Sequence, residues 1–293
     1  MHNIHVVFNS SLPFLIGIWI LGCGQHNEKQ DADESSATAT MSRRGNVEDA
    51  RDLVDQTETA APKLTLLDWC IAQPKSAVAE ESLLNSDADL IDISGNPLSD
   101  SLRAALLAKS DLKWLRVGAD LRPTDLDWIG HLRGLKGLCF TGTDLVNSEL
   151  EFLATLNDLR WLAFVRSPLP TGEFVALAGC PRLQEIHFFG RYYNDNTIRS
   201  IAHVQQIRRI SLSGSHITDA GVQNLVNEHP ALTYIGLFLC RDITPRVFES
   251  LGRLSTLEKL AIGSSGAVPT IQVTGELKQF MMAHPRCNVD YAD

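Results

Sequence analysis

Short runs of alternating hydrophobic and polar residues recur along the chain, and a turn and a helical hydrophobic pattern follow each run. The stretch "SLSGSHITDAGVQNL" at residues 211–225 is one such unit, with a strand-like alternation, a Ser-Gly turn and the start of an amphipathic helix. The central hydrophobic residue of each run returns about every 24 residues, at Ile91, Leu115, Leu138, Leu162, Ile186, Ile210, Ile235 and Leu260. This fixed period predicts a solenoid of stacked strand–helix units.

The alternation also assigns side chains to the two faces of each strand. Leu162 and Phe164 should point into the core, while Trp161 and Ala163 should point to the opposite face. A short polar or thiol residue follows each strand and is expected to bond the backbone of the turn, at Asn96, Asp120, Thr143, Ser167, Ser215, Cys240 and Ser265. Arg191 breaks this pattern in the fifth unit.

Hydroxyl residues mark the expected starts of the helices. Ser99 and Thr218 are predicted N-caps, because their side chains can accept hydrogen bonds from the first free N–H groups of a helix. Thr244 is a third predicted cap, with Pro245 at the first helical position. Acids that follow a cap, such as Asp219, suit the positive end of the helix dipole.

Each unit thus reads LxxLxL, a short polar residue, a cap and a helix, and this pattern resembles the leucine-rich repeat family. "HITDAGVQNL" is similar to repeats of bacterial and cysteine-containing members, which carry Ile-Thr-Asp-x-Gly-Leu. The resemblance covers most of residues 88–291. It implies an α/β solenoid with a curved parallel sheet on the concave side and helices on the convex side.

The N-terminus carries a different pattern. An apolar run from Leu12 to Leu21 is short for a membrane span and ends in Gly22-Cys23. Ile20-Leu21-Gly22-Cys23 resembles the lipobox of bacterial lipoproteins, which implies a signal peptide at 1–22 and a lipid on Cys23. The protein would then lie in the bacterial cell envelope as a membrane-anchored lipoprotein, facing the periplasm or the surface. The alternatives are an uncleaved membrane anchor and a buried helix.

Three segments follow the apolar run. Residues 23–62 are polar, acidic and free of aromatic residues, so they predict a flexible tether. Residues 63–87 are interpreted as a degenerate N-terminal cap repeat, because Leu67 lies one period before Ile91. Residues 88–293 form the predicted leucine-rich-repeat domain, with a last edge strand at 287–291 as its C-terminal cap.

The net charge of the chain and the motifs that it lacks disfavour several classes of function. The net charge of −9 disfavours a general nucleic-acid binder, which needs a concentrated basic surface. The six cysteines form no CxxC pair and no Cys/His cluster with metal-ligand spacing, so neither a metal nor another cofactor is expected. Most of them occupy core-like positions. No catalytic motif is present, and an enzyme or enzyme subunit is therefore disfavoured.

The candidate binding residues lie between the strand leucines, where a solenoid aligns them in columns across its concave face. These positions combine aromatic and charged side chains, the usual composition of binding hot spots: Trp114, Arg116, Gly137, Trp161, Glu185, His187, Phe189, Arg209, Tyr234 and Phe238. We expect them to be exposed, with a slot above Gly137 between the walls of Trp114 and Trp161. In the alternative interpretation, the N-terminal tether folds back over the two tryptophans or they only stiffen the sheet.

The favoured function is a non-enzymatic, lipid-anchored module, a monomer that recognises a protein or peptide through this concave face. The alternative is a carbohydrate or cell-wall binder, because tryptophan faces also stack on sugars.

Overall fold

The computed structural model describes residues 89–119, 121–122, 125–146, 150–170, 174–263 and 275–292. Across these ranges nine parallel strands form one sheet whose spatial order equals the chain order. The strands are β1 (Leu90–Asp92), β2 (Trp114–Gly118), β3 (Gly137–Thr141), β4 (Trp161–Val165), β5 (Glu185–Phe189), β6 (Arg209–Ser211), β7 (Tyr234–Phe238), β8 (Lys259–Gly263) and β9 (Asn288–Ala292). The predicted signal peptide, tether and cap repeat at 1–87 lie outside the described residues.

Helices connect the strands on one side of the sheet. The α-helices are α1 (Asp100–Ala108), α2 (Val175–Ala178), α3 (Asp195–Ser200), α4 (Asp219–Glu228), α5 (Val247–Leu251) and α6 (Gly275–Ala283). Two connections are 3-10 helices, Asp127–His131 and Leu150–Thr155. No helix in the described ranges is long and apolar enough to cross a membrane.

The strand register confirms the predicted repeat. Each central residue pairs with its counterpart in the next unit, from Ile91 opposite Leu115 to Ile235 opposite Leu260. These residues line one main core together with the inward side chains of the helices. Phe140, Phe164 and Phe188 stack in it, with ring centroids 5.5 and 5.6 Å apart. The chain is therefore an α/β leucine-rich-repeat solenoid.

Two of the three predicted N-caps are confirmed. The N–H of Leu102 donates to the Ser99 hydroxyl (3.0 Å), and that of Gly221 donates to the Thr218 hydroxyl (3.3 Å). At the third position the Thr244 hydroxyl does accept from the N–H of Arg246 (3.3 Å), but the helix begins at Val247, so Pro245 lies in the turn before it and not at the first helical position.

Aspartates connect the starts of successive repeats. The Asp195 carboxylate accepts from the backbone N–H (3.0 Å) and hydroxyl (2.7 Å) of Thr218 in the next unit. The Asp219 carboxylate accepts in the same way from the N–H (2.8 Å) and hydroxyl of Thr244. We call these two bonded pairs the Asp–Thr ladder. It links one helix start to the next and explains the Thr-Asp sequence of the repeat.

Five of the predicted turn residues are described, and all five are buried: Asn96, Thr143, Ser167, Ser215 and Cys240. Thr143, Ser167 and Cys240 bond turn backbone as predicted. Asp120 and Ser265 lie outside the described residues. The Thr143 hydroxyl donates to the Gly118 carbonyl (3.0 Å), and the Cys240 thiol donates to the Leu212 carbonyl (3.0 Å). In the irregular fifth unit this role passes from Arg191, which is exposed, to Tyr193. The buried Tyr193 hydroxyl contacts the carbonyls of Phe164 (3.0 Å) and Ser167 (2.9 Å), so a longer side chain restores the bonds of the turn.

Candidate functional site

The candidate site is the inner face, which we define as the sheet face opposite the main core. The strand register stacks its side chains in columns, as the repeat predicts. The first column contains Leu90, Trp114, Gly137, Trp161, Glu185, Arg209, Tyr234, Lys259 and Asn288. The second contains Asp92, Arg116, Cys139, Ala163, His187, Ser211, Gly236, Ala261 and Asp290. Phe189 and Phe238 belong to the third.

The prediction that these aromatic residues are exposed is wrong. Trp161 is only 4% exposed, and Trp114, Phe189, Tyr234 and Phe238 are buried as well. They pack in two apolar clusters that are separate from the main core. The first, which we call the aromatic cluster, contains Trp114, Cys139, Trp161, Ala163, Val165 and Phe189.

The predicted slot between the tryptophans does not exist, because the Trp114 ring itself fills the space above Gly137. The two indoles touch edge to face, with ring centroids 6.2 Å apart. A Cβ atom at Gly137 would lie 2.0 Å from Cε3 of Trp114. Gly137 is therefore needed to seat this ring, and no space remains for a flat ligand between the indoles.

Arg116 lies at the centre of a polar group on β1 to β3. Its Nε donates to the Thr141 hydroxyl (3.0 Å), and its Nη1 donates to Oδ2 of Asp92 (3.3 Å). The other oxygen of Asp92 accepts from the N–H and hydroxyl of Ser94. Burial lowers the pKa of Arg116, and the charge of Asp92 opposes that shift. The guanidinium is thus fixed in place instead of being exposed alongside a slot, as the sequence suggested.

Glu185, His187 and Arg209 form a second polar group, which we call the charged patch. Nε2 of His187 lies 2.7 Å from Oε1 of Glu185, and Nε of Arg209 lies 3.3 Å from Oε2. The guanidinium of Arg209 also lies over the Tyr234 ring, 4.6 Å from its centroid. The His187 ring contacts Trp161, with centroids 5.3 Å apart, so this patch adjoins the aromatic cluster.

The electrostatics of the patch favour an ionised carboxylate. Burial raises the pKa of Glu185, but the nearby His187 and Arg209 outweigh it, and the net pKa is lowered. The pKa of Tyr234 is raised, first by burial and then by the charge of Glu185. Tyr234 therefore keeps its proton and offers a neutral ring to Arg209.

The patch shows no catalytic arrangement within the described residues. Ser211 lies opposite His187 in the register, yet its hydroxyl pairs with the Ser213 hydroxyl (3.0 Å) and not with the imidazole. Nδ1 of His187 is buried and has no hydrogen-bond partner in the described ranges. No three His, Cys, Asp or Glu side chains cluster there as metal ligands.

Sequence reasoning brought the ten predicted residues onto one face but missed three members of the site. Asp92 and Thr141 hold Arg116, and Cys139 lies inside the aromatic cluster and is disulfide-bonded. Asp92 could have been found from the columns, because it directly precedes Arg116 in the second one. Cys139 lies in the same column, but nothing in the sequence around it indicates a disulfide bond.

Comparison with known proteins identifies the fold. No family model and no curated protein sequence matches the chain. The protein in a TLR13–ssRNA13 complex is similar, with a TM-score of 0.50 and 16% identity over 71% of this chain and 33% of that one. An internalin from Listeria monocytogenes has a TM-score of 0.44 and 17% sequence identity, over 68% of this chain and 58% of that one. A leucine-rich repeat protein of Leptospira interrogans has a TM-score of 0.39 and 14% sequence identity, over 68% of this chain and 59% of that one. The chain thus spans less than two thirds of each of these proteins.

Proposed function

We propose that the protein is a non-enzymatic module that recognises a protein or peptide through the inner face and is held in the bacterial envelope by a lipid on Cys23. The observation that carries this proposal is the charged patch on the inner face, where the carboxylate of Glu185 and the guanidinium of Arg209 lie together and both keep some exposure. A partner with polar and charged groups, such as a peptide, can pair with both of them.

The surroundings of His187 fit peptide recognition. The side chains of Glu185 and Arg209 keep 14% and 18% exposure, so a charge of either sign on a partner can reach its complement. The buried rings of Tyr234 and Trp161 pack against the patch. A central aromatic and Arg group with a polar rim is the usual arrangement of a protein-binding hot spot.

Other binding classes receive less support. The contact between Trp114 and Trp161 leaves no space in which a sugar ring could stack on both indoles. The similar TLR13 protein was solved with single-stranded RNA, but the net charge of −9 of this chain disfavours a phosphate backbone. A protein or peptide therefore remains the preferred partner.

Site-specific photocrosslinking in bacterial cells tests the binding face. A benzoylphenylalanine replaces Lys259, half-buried in the first column, in the full-length chain. The matched control carries the same probe at Met282 on α6, which is 71% exposed. We expect a discrete protein adduct from Lys259 and none from Met282. Equal labelling at both positions, or adducts from Met282 alone, would contradict binding through the inner face.

Metabolic labelling with a palmitate analogue tests the anchor. Cys23→Ser should abolish labelling and release the protein from the membrane fraction, since two acyl chains on one cysteine hold a protein firmly. Cys287→Ser is the control and should keep both labelling and membrane attachment. A Cys23→Ser variant that stays in the membrane would show an uncleaved anchor instead.

A further inference from the structure

Arg209 on β6 and Tyr234 on β7 pair in the strand register and carry donor groups that the described part of the chain leaves unused. Nε of Arg209 faces Oε2 of Glu185, but Nη1 and Nη2 make no hydrogen bond to a described residue. The Tyr234 hydroxyl makes none either, although this side chain is only 8% exposed. Nε is sealed from solvent, whereas both Nη atoms and the hydroxyl keep solvent access. A ligand on the inner face can therefore reach these three groups.

Two contacts fix the orientation of the guanidinium. Oε2 of Glu185 lies 3.3 Å from Nε, and Cζ lies 4.6 Å from the centroid of the Tyr234 ring. Burial raises the pKa of Tyr234, so the ring stays neutral and the hydroxyl keeps its proton as a donor. Because Glu185 takes Nε, the end of the guanidinium that carries Nη1 and Nη2 remains for a ligand. This end can donate two parallel hydrogen bonds to one carboxylate, and a side chain already held in place loses little entropy on binding.

Gly236 allows the Tyr234 hydroxyl to lie over β7. A Cβ atom at this glycine would be 2.8 Å from the Tyr234 hydroxyl oxygen and 2.8 Å from the Ser211 hydroxyl oxygen. Both hydroxyls thus border one point above the glycine, and the Ser211 hydroxyl already pairs with that of Ser213 (3.0 Å). A side chain at this position would push the Tyr234 hydroxyl away. The glycine therefore keeps an unused donor on the residue that supports the guanidinium.

We propose that Arg209, supported by Tyr234, binds a carboxylate of the partner on the inner face, either an acidic side chain or a C-terminus. This inference rests on the proposed function and adds the chemistry of the contact. Both oxygens of Glu185 already face a neighbour, while the Nη atoms of Arg209 are unused, so the patch lacks an acceptor and not a donor. A carboxylate is the acceptor of a peptide that matches a guanidinium in shape and charge.

Two carboxylates of the protein lie near this site and oppose a ligand of the same charge. Glu185 is faced by Arg209, which shares its positive charge with it. On β9, burial raises the pKa of Asp290 and the charge of Lys259 opposes that shift. Each acid is thus balanced by a cation. We therefore expect one isolated carboxylate to bind weakly, with the rest of the partner supplying further affinity.

NMR titration of the full-length protein, with isotope-labelled arginine, tests the contact. The probe is N-acetylglutamic acid α-amide, and its matched control is N-acetylglutamine α-amide, which lacks only the side-chain carboxylate. We expect the acid to shift the guanidinium signals of Arg209 in a saturable way and the amide to bind about tenfold more weakly or less. Arg199 on α3 is exposed and serves as the internal control, with no saturable shift. Equal saturable binding of the acid and the amide would overturn the proposal.

Two further probes identify the source of the acceptor. N-acetylglycine carries only a C-terminal carboxylate, so saturation of the Arg209 signals by this probe alone supports the same contact with a peptide end. Inorganic phosphate carries no carboxylate. Saturation by phosphate alone, or no saturable shift with either carboxylate probe, would refute recognition of a peptide carboxylate at Arg209.

Substitutions separate the geometry of the guanidinium from its charge. Arg209→Lys keeps the positive charge but loses the paired donors, so the dissociation constant of the acidic probes, measured by saturation-transfer NMR, should rise about fivefold or more. Tyr234→Leu removes the support and the hydroxyl and should also weaken binding. Arg199→Lys is the matched control and should leave the constant unchanged, and circular dichroism checks the fold of each variant. Unchanged binding in a folded Arg209→Lys variant would contradict the paired contact.

This test and the test of the proposed function fail in different ways. A protein adduct from the probe at Lys259 without carboxylate binding at Arg209 would refute this contact and leave recognition through the inner face standing. Saturable carboxylate binding without a protein adduct would support the contact and contradict a protein partner.

Discussion

Thr218 offers the sharpest test of the repeat, because one hydroxyl serves two partners. It accepts from the N–H of Gly221 (3.3 Å) at the start of α4 and donates to the Asp195 carboxylate (2.7 Å) of the preceding unit. Thr218→Ala removes both bonds, while Thr218→Ser keeps them. The backbone N–H of Thr218 still donates to Asp195 in either variant (3.0 Å).

The magnitude follows from these two bonds. Loss of an N-cap hydroxyl costs about 0.5–2 kcal/mol, and loss of a hydrogen bond to a charged group costs about 1.5–3 kcal/mol. The energy of the bond to the charged group should be smaller here, because Asp195 keeps its hydrogen bond from the N–H of Thr218 and is partly solvated. We expect Thr218→Ala to lower the free energy of unfolding by about 2–3 kcal/mol, and Thr218→Ser by about half a kcal/mol or less.

Urea unfolding followed by circular dichroism gives these values from the midpoint and the slope. A double-mutant cycle with Asp195→Ala should yield a coupling energy of about 1–2 kcal/mol. Thr244→Ala in the next unit is the matched control. Its hydroxyl donates to Asp219 and accepts from the N–H of Arg246 (3.3 Å), but both bonds are exposed to solvent, so we expect a loss below about 1 kcal/mol. Equal losses for Thr218→Ala and Thr218→Ser, or additive behaviour in the cycle, would refute the two-partner role.

Three further predictions follow from the packing and the buried charges. Gly137→Ala should lower the free energy of unfolding by about 1–3 kcal/mol, because the added methyl group displaces the Trp114 ring, and this loss should be smaller when Trp114→Ala is also present. Calorimetry of the unmodified protein, the two single variants and the double variant measures both losses. Leu162→Ala should cost about 2–5 kcal/mol through a cavity in the main core, against under about 1.5 kcal/mol for Leu162→Met; a loss as large for Leu162→Met would contradict the cavity account. Burial, with a smaller effect from Arg208, lowers the pKa of His229 to about 4. The unfolded state therefore binds the proton first as pH falls below about 6.5, and stability drops by about 1–2 kcal/mol between pH 7 and 5. His229→Gln should flatten that part of the unfolding profile, and an unchanged slope would refute the assignment.

The repeat could be predicted because its causes are local. The period of about 24 residues located the centres of β1 to β8, since a buried side chain in each unit must pair with the next. Thr218 was identified as a cap by its position before an acid and a helical pattern. The same signal found the hydroxyl of Thr244, which bonds the N–H of Arg246, but it placed the helix start too early, because the sequence does not show that Pro245 stays in a turn before the helix.

The inner face was predicted only in part, because alternation gives the direction of a side chain and not what covers it. Trp161 points to the predicted face but is buried. The expected slot depended on a gap left by Gly137, and the neighbouring Trp114 ring fills that gap. The rotamers of neighbouring side chains, such as the Trp114 ring that contacts Trp161, contribute to both outcomes, and the hydrophobic period of the sequence does not show them.

The Asp–Thr ladder also explains a glycine in the motif Ile-Thr-Asp-x-Gly. A Cβ atom at Gly221 would lie 2.0 Å from Oδ1 of Asp195, so a side chain there would push the carboxylate away from Thr218. The sequence showed that this glycine belongs to the repeat motif, but its reason lies in the preceding unit. Contacts of this kind cannot be found from a single unit.

The match between strand order and chain order affects how the protein can fold and change in length. Every strand pairs only with the strands that precede and follow it, so each pairing closes a loop of about one unit, however long the solenoid becomes. Folding can therefore begin at any pair of units and spread in both directions without a long-range closure step. A unit can also be duplicated or lost while its neighbours still find equivalent partners, which gives evolution a direct way to adjust the area of the inner face.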